Sequence, residues 1–267
     1  MKSKFNLVDN CFTHLTGGNM GYSVHGKESK HIEWVSDFSA DETFYVDQTI
    51  DQAFTDGISG TKYAWILESK FVIPGISERI KSNLEEYFNV FKYIFTHDKE
   101  LFSLDPRFKW CPAQGFWIKE PKLYEKTKMI SMISSNKSFT EGQKNRIKWV
   151  ERIGDQVDLY GRGFNEIVNK EQGLCDYMFS VVIENGIYES YYTEKILDCF
   201  ATGTIPVYLG SPDIADHFNK DGIIQLSEEF EVSEEIYQSK LDAIKDNLER
   251  VKKIEVLEDF IYINYLQ

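Results

Sequence analysis

The residues that could do chemistry in this chain are densest in the stretch IENGIYESYYTEK, from Ile183 to Lys195. The apolar run YMFSVV precedes it, and ILDCFATGTIPVYLG follows it with the pattern of a helix, a glycine stop and a strand. Thr193 can cap that helix, whose first N–H groups attract an anion, and Lys195 adds a full positive charge. These groups could hold a pyrophosphate, while Glu194 could accept hydrogen bonds from ribose hydroxyls and Asn185 offers a donor and an acceptor.

The same stretch also has a purely structural interpretation. A threonine followed by acidic residues in the first turn is common capping chemistry, and the fragment TEK alone favours that explanation. Tyr191 could supply a hydroxyl or a ring face to a ligand. The fragment by itself therefore leaves a binding role and a capping role open.

The composition of the whole chain limits its class. The 267 residues are 42% hydrophobic and 27% charged, which suits one large or two modest globular domains. A net charge of −13 without any lysine or arginine block argues against nucleic acid and anionic membrane surfaces as partners. No apolar run reaches about 18 residues and the N-terminus lacks a signal-peptide core, so we expect no transmembrane segment and a cytoplasmic location. The cysteine spacing fits no zinc or redox motif, so we expect reduced thiols at Cys11, Cys111, Cys175 and Cys199.

Strand patterns and helix patterns alternate along the chain. Before residue 121, strands are predicted for IEWVSDF, TFYVDQTI, KYAWILES and KYIFTHD, and a helix for SERIKSNLEEYFNVF. From Lys126 onward, strands are predicted for KMISMISS, VDLYG, YMFSVVIEN, TIPVYLG and GIIQL, with helices at FTEGQKNRIKWVERI, at YTEKILDCFATG and from about Ser233. The stretches THLTGGNMGYSVHGKESK and DPRFKWCPAQGFWI are predicted as loops. Such alternation favours parallel sheets with helices on both faces.

This pattern predicts an α/β fold with two Rossmann-like domains that join near residues 121–127. We expect one domain over residues 1–125 and another over residues 126–267, whose last helix is a candidate to pack back on the first domain. Ligands of open parallel sheets bind beyond the carboxyl ends of the strands. That rule places Glu68, Ser135, Asn136 and the stretch from Glu184 to Lys195 at candidate binding edges.

The stretch YMFSVVIENGIYESYYTEKILDCFATGTIPVYLGSPDIADHF resembles the donor-binding signature of the α1,3/4-fucosyltransferases, glycosyltransferase family 10. The family pattern is an aromatic strand ending in Glu-Asn, then Tyr-x-Thr-Glu-Lys, a helix, and Gly-x-x-Pro-Val/Ile-x-x-Gly. The matching positions here are Glu184, Asn185, Tyr191, Thr193, Glu194, Lys195, Gly203, Pro206 and Gly210. Departures are Gly186 where Ser or Thr is frequent, Ile183 for a usual phenylalanine and Ser180 where many members have tyrosine.

Weaker similarity extends towards the N-terminus. The run MISSNKSFTEGQKNRIKWVERIGDQVDLYGRG is similar to a family segment with a Ser-Asn pair and an arginine-bearing helix. The resemblance implies that Ser135 and Asn136 line the nucleotide site and that Arg146 meets the donor pyrophosphate. Because the gap from Asn136 to Arg146 is longer than usual, Lys144 and Lys148 are alternatives for that role.

The segment WILESKFVIPG is similar to the family strand whose final glutamate is the general base. This resemblance implies that Glu68 is the catalytic residue, with Glu33, Glu42 and Asp47 as the fallback candidates.

The resemblance implies a GT-B glycosyltransferase with an acceptor-binding N-terminal domain and a donor-binding C-terminal domain. It implies inverting transfer of L-fucose from GDP-fucose to a hydroxyl of a glycan acceptor, with an α1,3-type linkage. The expected donor-binding residues are Ser135, Asn136, Arg146, Asn185, Tyr191, Glu194 and Lys195. No DxD motif occurs, so we expect no metal cofactor. We expect no membrane anchor or stem, as in bacterial or viral members of the family. Another nucleotide-sugar donor, or a catalytically silent nucleotide- or sugar-binding module, remains an alternative.

Overall fold

The computed structural model describes residues 1–9 and 28–267, and the chain divides into two compact units. Unit 1 consists of Met1–Gln114 and Glu255–Gln267, and unit 2 of Gly115–Ile254. Most of the glycine-rich stretch predicted as a loop lies outside the described residues, and so does Cys11. None of the described helices is long and apolar enough to cross a membrane.

In its described part, unit 1 is built around a six-stranded parallel sheet in the order β2-β1-β3-β4-β5-β6. The strands are β1 Ser3–Val8, β2 Ile32–Val35, β3 Glu42–Val46, β4 Thr61–Ile66, β5 Phe91–Thr96 and β6 Phe108–Trp110. A 3₁₀ segment covers Asp47–Phe54, and the helices that follow are α1 Ile76–Ser82, α2 Leu84–Val90 and α3 Lys99–Phe102. Phe44 and Trp65 pack on one face of the sheet and Tyr45 and Ala64 on the other, because successive strand residues point to opposite faces. Both faces are thereby buried.

Three elements of unit 1 differ from the sequence prediction. The single helix predicted from Ser77 is interrupted at Asn83, whose side-chain amide donates to the Arg79 carbonyl 2.9 Å away and so competes with the helical backbone. Strand β6 lies inside a stretch predicted as loop, and β1 was not predicted at all. Strand β6 has only three residues and β1 begins with the polar pair Ser3 and Lys4, so their hydrophobic pattern is weak.

Unit 2 contains a five-stranded parallel sheet in the order β11-β10-β9-β7-β8. Its strands are β7 Lys128–Ile133, β8 Asp158–Tyr160, β9 Tyr177–Ile183, β10 Ile205–Leu209 and β11 Ile224–Gln225. Its helices are α4 Glu141–Ile153, α5 Glu171–Leu174, α6 Glu194–Thr202, α7 Ile214–His217, α8 Glu234–Ser239 and α9 Leu241–Lys252. All seven residues of β9 are buried, as a central parallel strand requires. The predicted α/β class with two Rossmann-like sheets is confirmed.

The ends of α4 and α6 follow from their capping residues. Thr140 and Gln143 form a reciprocal capping box at the start of α4. Thr193 caps α6, and Gly203 ends that helix with a φ of 72°, a left-handed conformation that favours glycine. The predicted glycine stop is therefore confirmed.

The division of the chain falls at Gln114/Gly115 rather than at residues 125/126. The intervening segment runs along α6: the Trp117 N–H donates to Asp198 (2.6 Å) and the Lys122 N–H to the Ala201 carbonyl (3.0 Å). These bonds tie residues 115–124 to unit 2.

The amphipathic helix predicted from Ser233 is divided at Lys240 into α8 and α9, and both halves lie in unit 2. A later short helix, α10 (Leu257–Ile261), belongs to unit 1 instead. Leu257 and Ile261 pack there in the same apolar cluster as Trp34. The Asp259 carboxylate accepts from the backbone N–H groups of Lys30 and His31, which anchors the C-terminal segment beside β2.

Candidate active site

A cavity of about 250 Å³ opens in unit 2 where β7, β8 and β9 end and α6 begins. Parallel strands bring their carboxyl ends to one edge of the sheet, which is where open α/β sheets bind ligands. The charged side chains along the cavity are four cations and two carboxylates among the described residues: Arg146, Arg162, Lys170, Lys195, Glu194 and Asp198. This lining carries excess positive charge, although the whole chain has a net charge of −13. An anionic ligand is therefore favoured here.

Arg146 is a cavity cation that has one N–H donor without a hydrogen-bond partner among the described residues. It lies on the second turn of α4 and is buried, with 8% of its surface exposed. Its Nη1 lies 3.3 Å from the Asn185 Oδ1, while its Nε has no hydrogen-bond partner among the described residues. Lys144 and Lys148 on the same helix are exposed, and Lys144 pairs with Glu141. The geometry therefore favours Arg146 over the two lysines as the residue that meets an anion.

The polar loop between β9 and α6 is folded around the Glu184 carboxylate. Its Oε1 accepts from the Thr193 N–H (2.9 Å) and its Oε2 from the Thr193 hydroxyl (2.8 Å), and the side chain is buried. Ser190, with a φ of 62°, donates its N–H to Asp213 at 2.7 Å. The Glu184 carboxylate therefore already accepts hydrogen bonds from Thr193, the residue that caps α6. The stretch thus has a structural capping role in addition to any role in binding a ligand.

Lys195 lies between two carboxylates. Its Nζ is 3.4 Å from Glu184 Oε2, 3.3 Å from Glu194 Oε1 and 2.9 Å from the Thr193 hydroxyl. Burial opposes its charge, but Glu194 and Glu184 together raise the pKa of Lys195 above its ordinary value. Lys195 is therefore a permanent cation on the cavity wall, partly neutralised before any ligand arrives.

The remaining predicted donor residues take different positions. Ser135 and Glu194 line the cavity, whereas Asn136 beside them is exposed and donates its N–H to the Arg162 carbonyl (3.0 Å). Tyr191 is 2% exposed and stacks on Tyr188, with ring centroids 4.7 Å apart and planes 11° apart. That ring face is already covered by protein.

Two residues that no motif singled out also line the cavity, Lys170 and Asp198. Asp198 lies four residues after Glu194 on α6, so both carboxylates face the same side of the helix. Two carboxylates at this spacing repel each other unless a cation lies between them. The spacing of Glu194 and Asp198 was therefore the feature of the sequence that could have indicated a nearby cation. The identity of the cation could not be derived from it.

Glu68 belongs to unit 1, two residues after the end of β4, and is half-buried. Its backbone N–H donates to the Asp47 carboxylate, with the Oδ1 at 3.1 Å. Of the fallback candidates, Glu42 accepts from the Tyr63 hydroxyl (2.6 Å) and Glu33 lies 4.0 Å from the Lys4 ammonium. Glu68 therefore follows a strand end in a loop that the Asp47 carboxylate supports.

Asp47 is the third fallback candidate, and it is buried beneath the Glu68 loop. Its Oδ1 accepts from the Leu67 N–H at 2.8 Å as well as from Glu68, and its φ is 52°. Burial outweighs these donors and raises the pKa of Asp47 to about 7. Asp47 thus holds the loop that carries Glu68.

The described residues contain no group of three or more His, Cys, Asp or Glu side chains arranged to hold a metal ion.

The fold defines a protein of the GT-B-like class, with two parallel α/β units and a cavity lined by several cations at the sheet edge of the second. A solved structure described as an alpha1,3-fucosyltransferase has the same fold, with a TM-score of 0.53 at 15% identity over 92% of this chain and 81% of that one. A second, described as an alpha1,3-fucosyltransferase with GDP-fucose, gives a TM-score of 0.50 at 15% identity, over 94% and 82% of the two chains.

Residues 123–253 match the family described as "Glycosyltransferase family 10 (fucosyltransferase) C-term". Over this segment, just under half of the chain, the protein is similar to glycosyltransferase family 10. Among curated relatives, the alpha-(1,3)-fucosyltransferase FucT of Helicobacter pylori is 39% identical over 64 residues, 24% of this chain and 13% of that protein. The 4-galactosyl-N-acetylglucosaminide 3-alpha-L-fucosyltransferase 9 of Cricetulus griseus is 27% identical over 157 residues, 56% of this chain and 40% of that protein. The matches thus span well under half the length of these relatives.

Proposed function

We propose that this protein transfers L-fucose from GDP-fucose to a hydroxyl of a glycan acceptor, with inversion and an α1,3-type linkage. The main observation behind this proposal is the cavity in unit 2. There the buried Arg146 has an Nε without a hydrogen-bond partner among the described residues, beside a second cation, Lys195. A buried guanidinium with an orphaned donor is costly unless a ligand completes it, and a pyrophosphate matches its planar fork. The family and the names of the relatives support fucose and the linkage.

The donor would be held by residues around this cavity. Arg146 and Lys195 would face the pyrophosphate, and Glu194 and Asn185 would meet the ribose hydroxyls. The nucleotide site would be completed by Ser135, Asn136 and Tyr191. The ring of Tyr191 is buried, so this residue would act from beneath the loop rather than through an exposed ring face. One solved neighbour is described with GDP-fucose, which supports this choice of donor.

In the proposed reaction the acceptor hydroxyl loses its proton to the Glu68 carboxylate while its oxygen forms a bond to the anomeric carbon. The bond from that carbon to the pyrophosphate oxygen breaks, and its electron pair leaves with GDP. A hydroxyl has a pKa far above 7, so a carboxylate base is needed as the C–O bond forms. Preorganised cations lower the free energy of the leaving group's developing charge, and Arg146 and Lys195 supply them. We include metal independence in the proposal because these cations come from the chain itself.

Thermal stability with added nucleotides tests the donor first. GDP and GDP-fucose should raise the melting temperature more than UDP, dTDP or their sugars, because a ligand that binds the native state stabilises it by mass action. A glycan-array screen with GDP-fucose then identifies the acceptor, with mass spectrometry reading the added deoxyhexose. A larger shift with UDP or dTDP sugars would indicate another donor. GDP binding without transfer or donor hydrolysis would indicate a catalytically silent binding module.

A further inference from the structure

Lys170 is a cavity residue that lies outside every motif of the sequence. It immediately precedes α5, and its side chain is 29% exposed. Its ammonium lies 2.7 Å from Asp198 Oδ2 and 3.5 Å from Glu194 Oε1, so it joins two carboxylates one turn apart on α6. The same ammonium lies 6.0 Å from the centre of the Trp117 ring. Lys170 is therefore held on several sides at the edge of the cavity.

Asp198 fixes the position of that ammonium. Its side chain is fully buried, and its second oxygen, Oδ1, accepts from the Trp117 N–H at 2.6 Å. Both oxygens are thus engaged, one by the backbone and one by Lys170. A buried carboxylate without a cation is strongly destabilising. The ion pair with Lys170 therefore stabilises the folded protein at Asp198. Lys170 cannot easily swing away from the α6 face.

Glu194 is the residue whose position depends on this arrangement. Its Oε1 is within 3.5 Å of Lys170 and within 3.3 Å of Lys195, so two cations converge on one carboxylate oxygen. Although burial opposes ionisation, Lys195 and Lys170 hold the pKa of Glu194 well below its ordinary value. The carboxylate is kept anionic, and its rotation is restricted by contacts from two directions.

We propose that Lys170 is a positioning residue that orients the Glu194 carboxylate for the ribose hydroxyls of a nucleoside diphosphate. The inference rests on the proposed function, because it takes the cavity to be the GDP site. Without Lys170, Lys195 remains as the ion-pair partner of Glu194, and the carboxylate can rotate about its last bond towards that cation. Recognition of the ribose should then weaken more than recognition of the pyrophosphate.

A comparison of GDP with 2′,3′-dideoxy-GDP isolates the ribose contribution. Calorimetric titration of the wild-type protein should show that loss of both hydroxyls weakens binding about tenfold or more, the usual effect of removing a hydrogen bond to a charged group. In Lys170→Met the ratio of the two dissociation constants should fall towards one, and Lys170→Arg should restore most of it. Lys252→Met removes a lysine from a surface pair with Glu249 and should leave the ratio unchanged.

The possible results separate the two proposals. Equal weakening of both ligands in Lys170→Met, with the wild-type ratio retained, would overturn the positioning role while leaving the GDP site intact. Absence of GDP binding by the wild-type protein would overturn the proposed function and this inference with it. If Lys170→Met does not fold, the double variant Lys170→Met/Asp198→Asn removes both charges of the buried pair and avoids an unpaired carboxylate. In that double variant the ratio of the two dissociation constants should also fall towards one. A ratio that stays at the wild-type value would overturn the inference.

Discussion

Arg146 and Asn185 are joined by a hydrogen bond of 3.3 Å from Nη1 to Oδ1, which links α4 to the loop after β9. The link depends on close backbone approach one turn earlier, because a Cβ on Gly142 would lie 2.1 Å from the Asn185 carbonyl oxygen. Helix α4 thus approaches the loop through a glycine and presents its arginine to the cavity. The guanidinium then holds Asn185 with one nitrogen and keeps Nε without a partner among the described residues.

The Arg146→Ala variant should lose most donor use. We expect kcat/KM for GDP-fucose to fall on the order of 10²–10³-fold, as when one preorganised donor to a developing charge is removed. Arg146→Lys should recover only part of the loss, because an ammonium replaces the charge but not the planar fork. Lys148→Ala, an exposed position on the same helix, is the control and should behave as wild type. Near-normal kinetics of Arg146→Ala would remove Arg146 from the donor site.

The Gly142→Ala variant should damage the site without touching any charged group. The added methyl would force α4 and the Asn185 loop apart, and a misplacement of about 1 Å can cost on the order of 10²-fold in rate. Steady-state kinetics with GDP-fucose and circular dichroism measure activity and folding together. Gly154→Ala at the end of α4 is the matched control, because its nearest neighbour lies 3.9 Å away and its φ is −56°. Equal kinetics for the two variants would contradict the proposed role of close approach.

The sequence predicted the sheet of unit 2 well because its central strands, β9 and β10, are largely apolar runs with clear stops. Strand β9 is buried along its whole length, and Gly203 ends α6 where its type predicted. The same local pattern could not separate a ligand group from a structural one. Tyr191 matches the motif, yet Tyr188 covers its ring, and Glu184 caps the loop that precedes α6. These outcomes depend on which side chains the loop brings together.

Long-range pairing was also invisible in the sequence. Lys170 and Asp198 are 28 residues apart, and no periodic pattern relates them. Asn83 interrupts a helix through one side-chain bond to Arg79, an event too local for a hydrophobic pattern to detect. Sequence spacing therefore predicted the elements and the edge of the sheet, while the partners of each charge required the three-dimensional arrangement.

Removal of divalent metal should leave transfer intact. Arg146 and Lys195 supply positive charge at the cavity, so GDP can leave without a metal ion as the electrophile. We expect equal initial rates with GDP-fucose in excess EDTA and in manganese, measured by GDP release once an acceptor is known. A loss of activity in EDTA that manganese restores would show that the proposed metal-free reaction is incorrect.

Asp47 should give the protein a pH-dependent stability in the acidic range. Burial raises its pKa from an ordinary 3.8 to about 7, so between these values the folded state binds more protons than the unfolded state. The contribution to the free energy of unfolding is fully present below about pH 4 and is lost as the pH rises through about 7. Asp47→Asn should remove this dependence, and asparagine also tolerates the left-handed backbone at this position.

Denaturant unfolding at about pH 3.5, 5.5 and 7.5 measures the effect, at conditions chosen to bracket the range from about 4 to about 7. The stability of wild type relative to Asp47→Asn should decrease across these three conditions. Asp41→Asn, at an exposed position in unit 1, should keep a constant difference from wild type. A constant difference for Asp47→Asn would mean that Asp47 is ionised throughout the range.

Glu68→Gln should leave donor binding intact and reduce catalysis. The loop that carries Glu68 is held by two backbone N–H bonds to Asp47, so an amide at position 68 should keep the same place. Glutamine preserves size and hydrogen bonding but cannot accept the acceptor's proton, so kcat should fall on the order of 10²–10⁴-fold. Calorimetric titration should show nearly unchanged GDP affinity, because the base acts on the acceptor. Glu78→Gln, an exposed change on α1 in the same unit, is the control and should keep wild-type kcat. If Glu68→Gln retains wild-type kcat while Glu33→Gln, Glu42→Gln or Asp47→Asn abolishes turnover in a folded protein, the base is one of those three carboxylates instead.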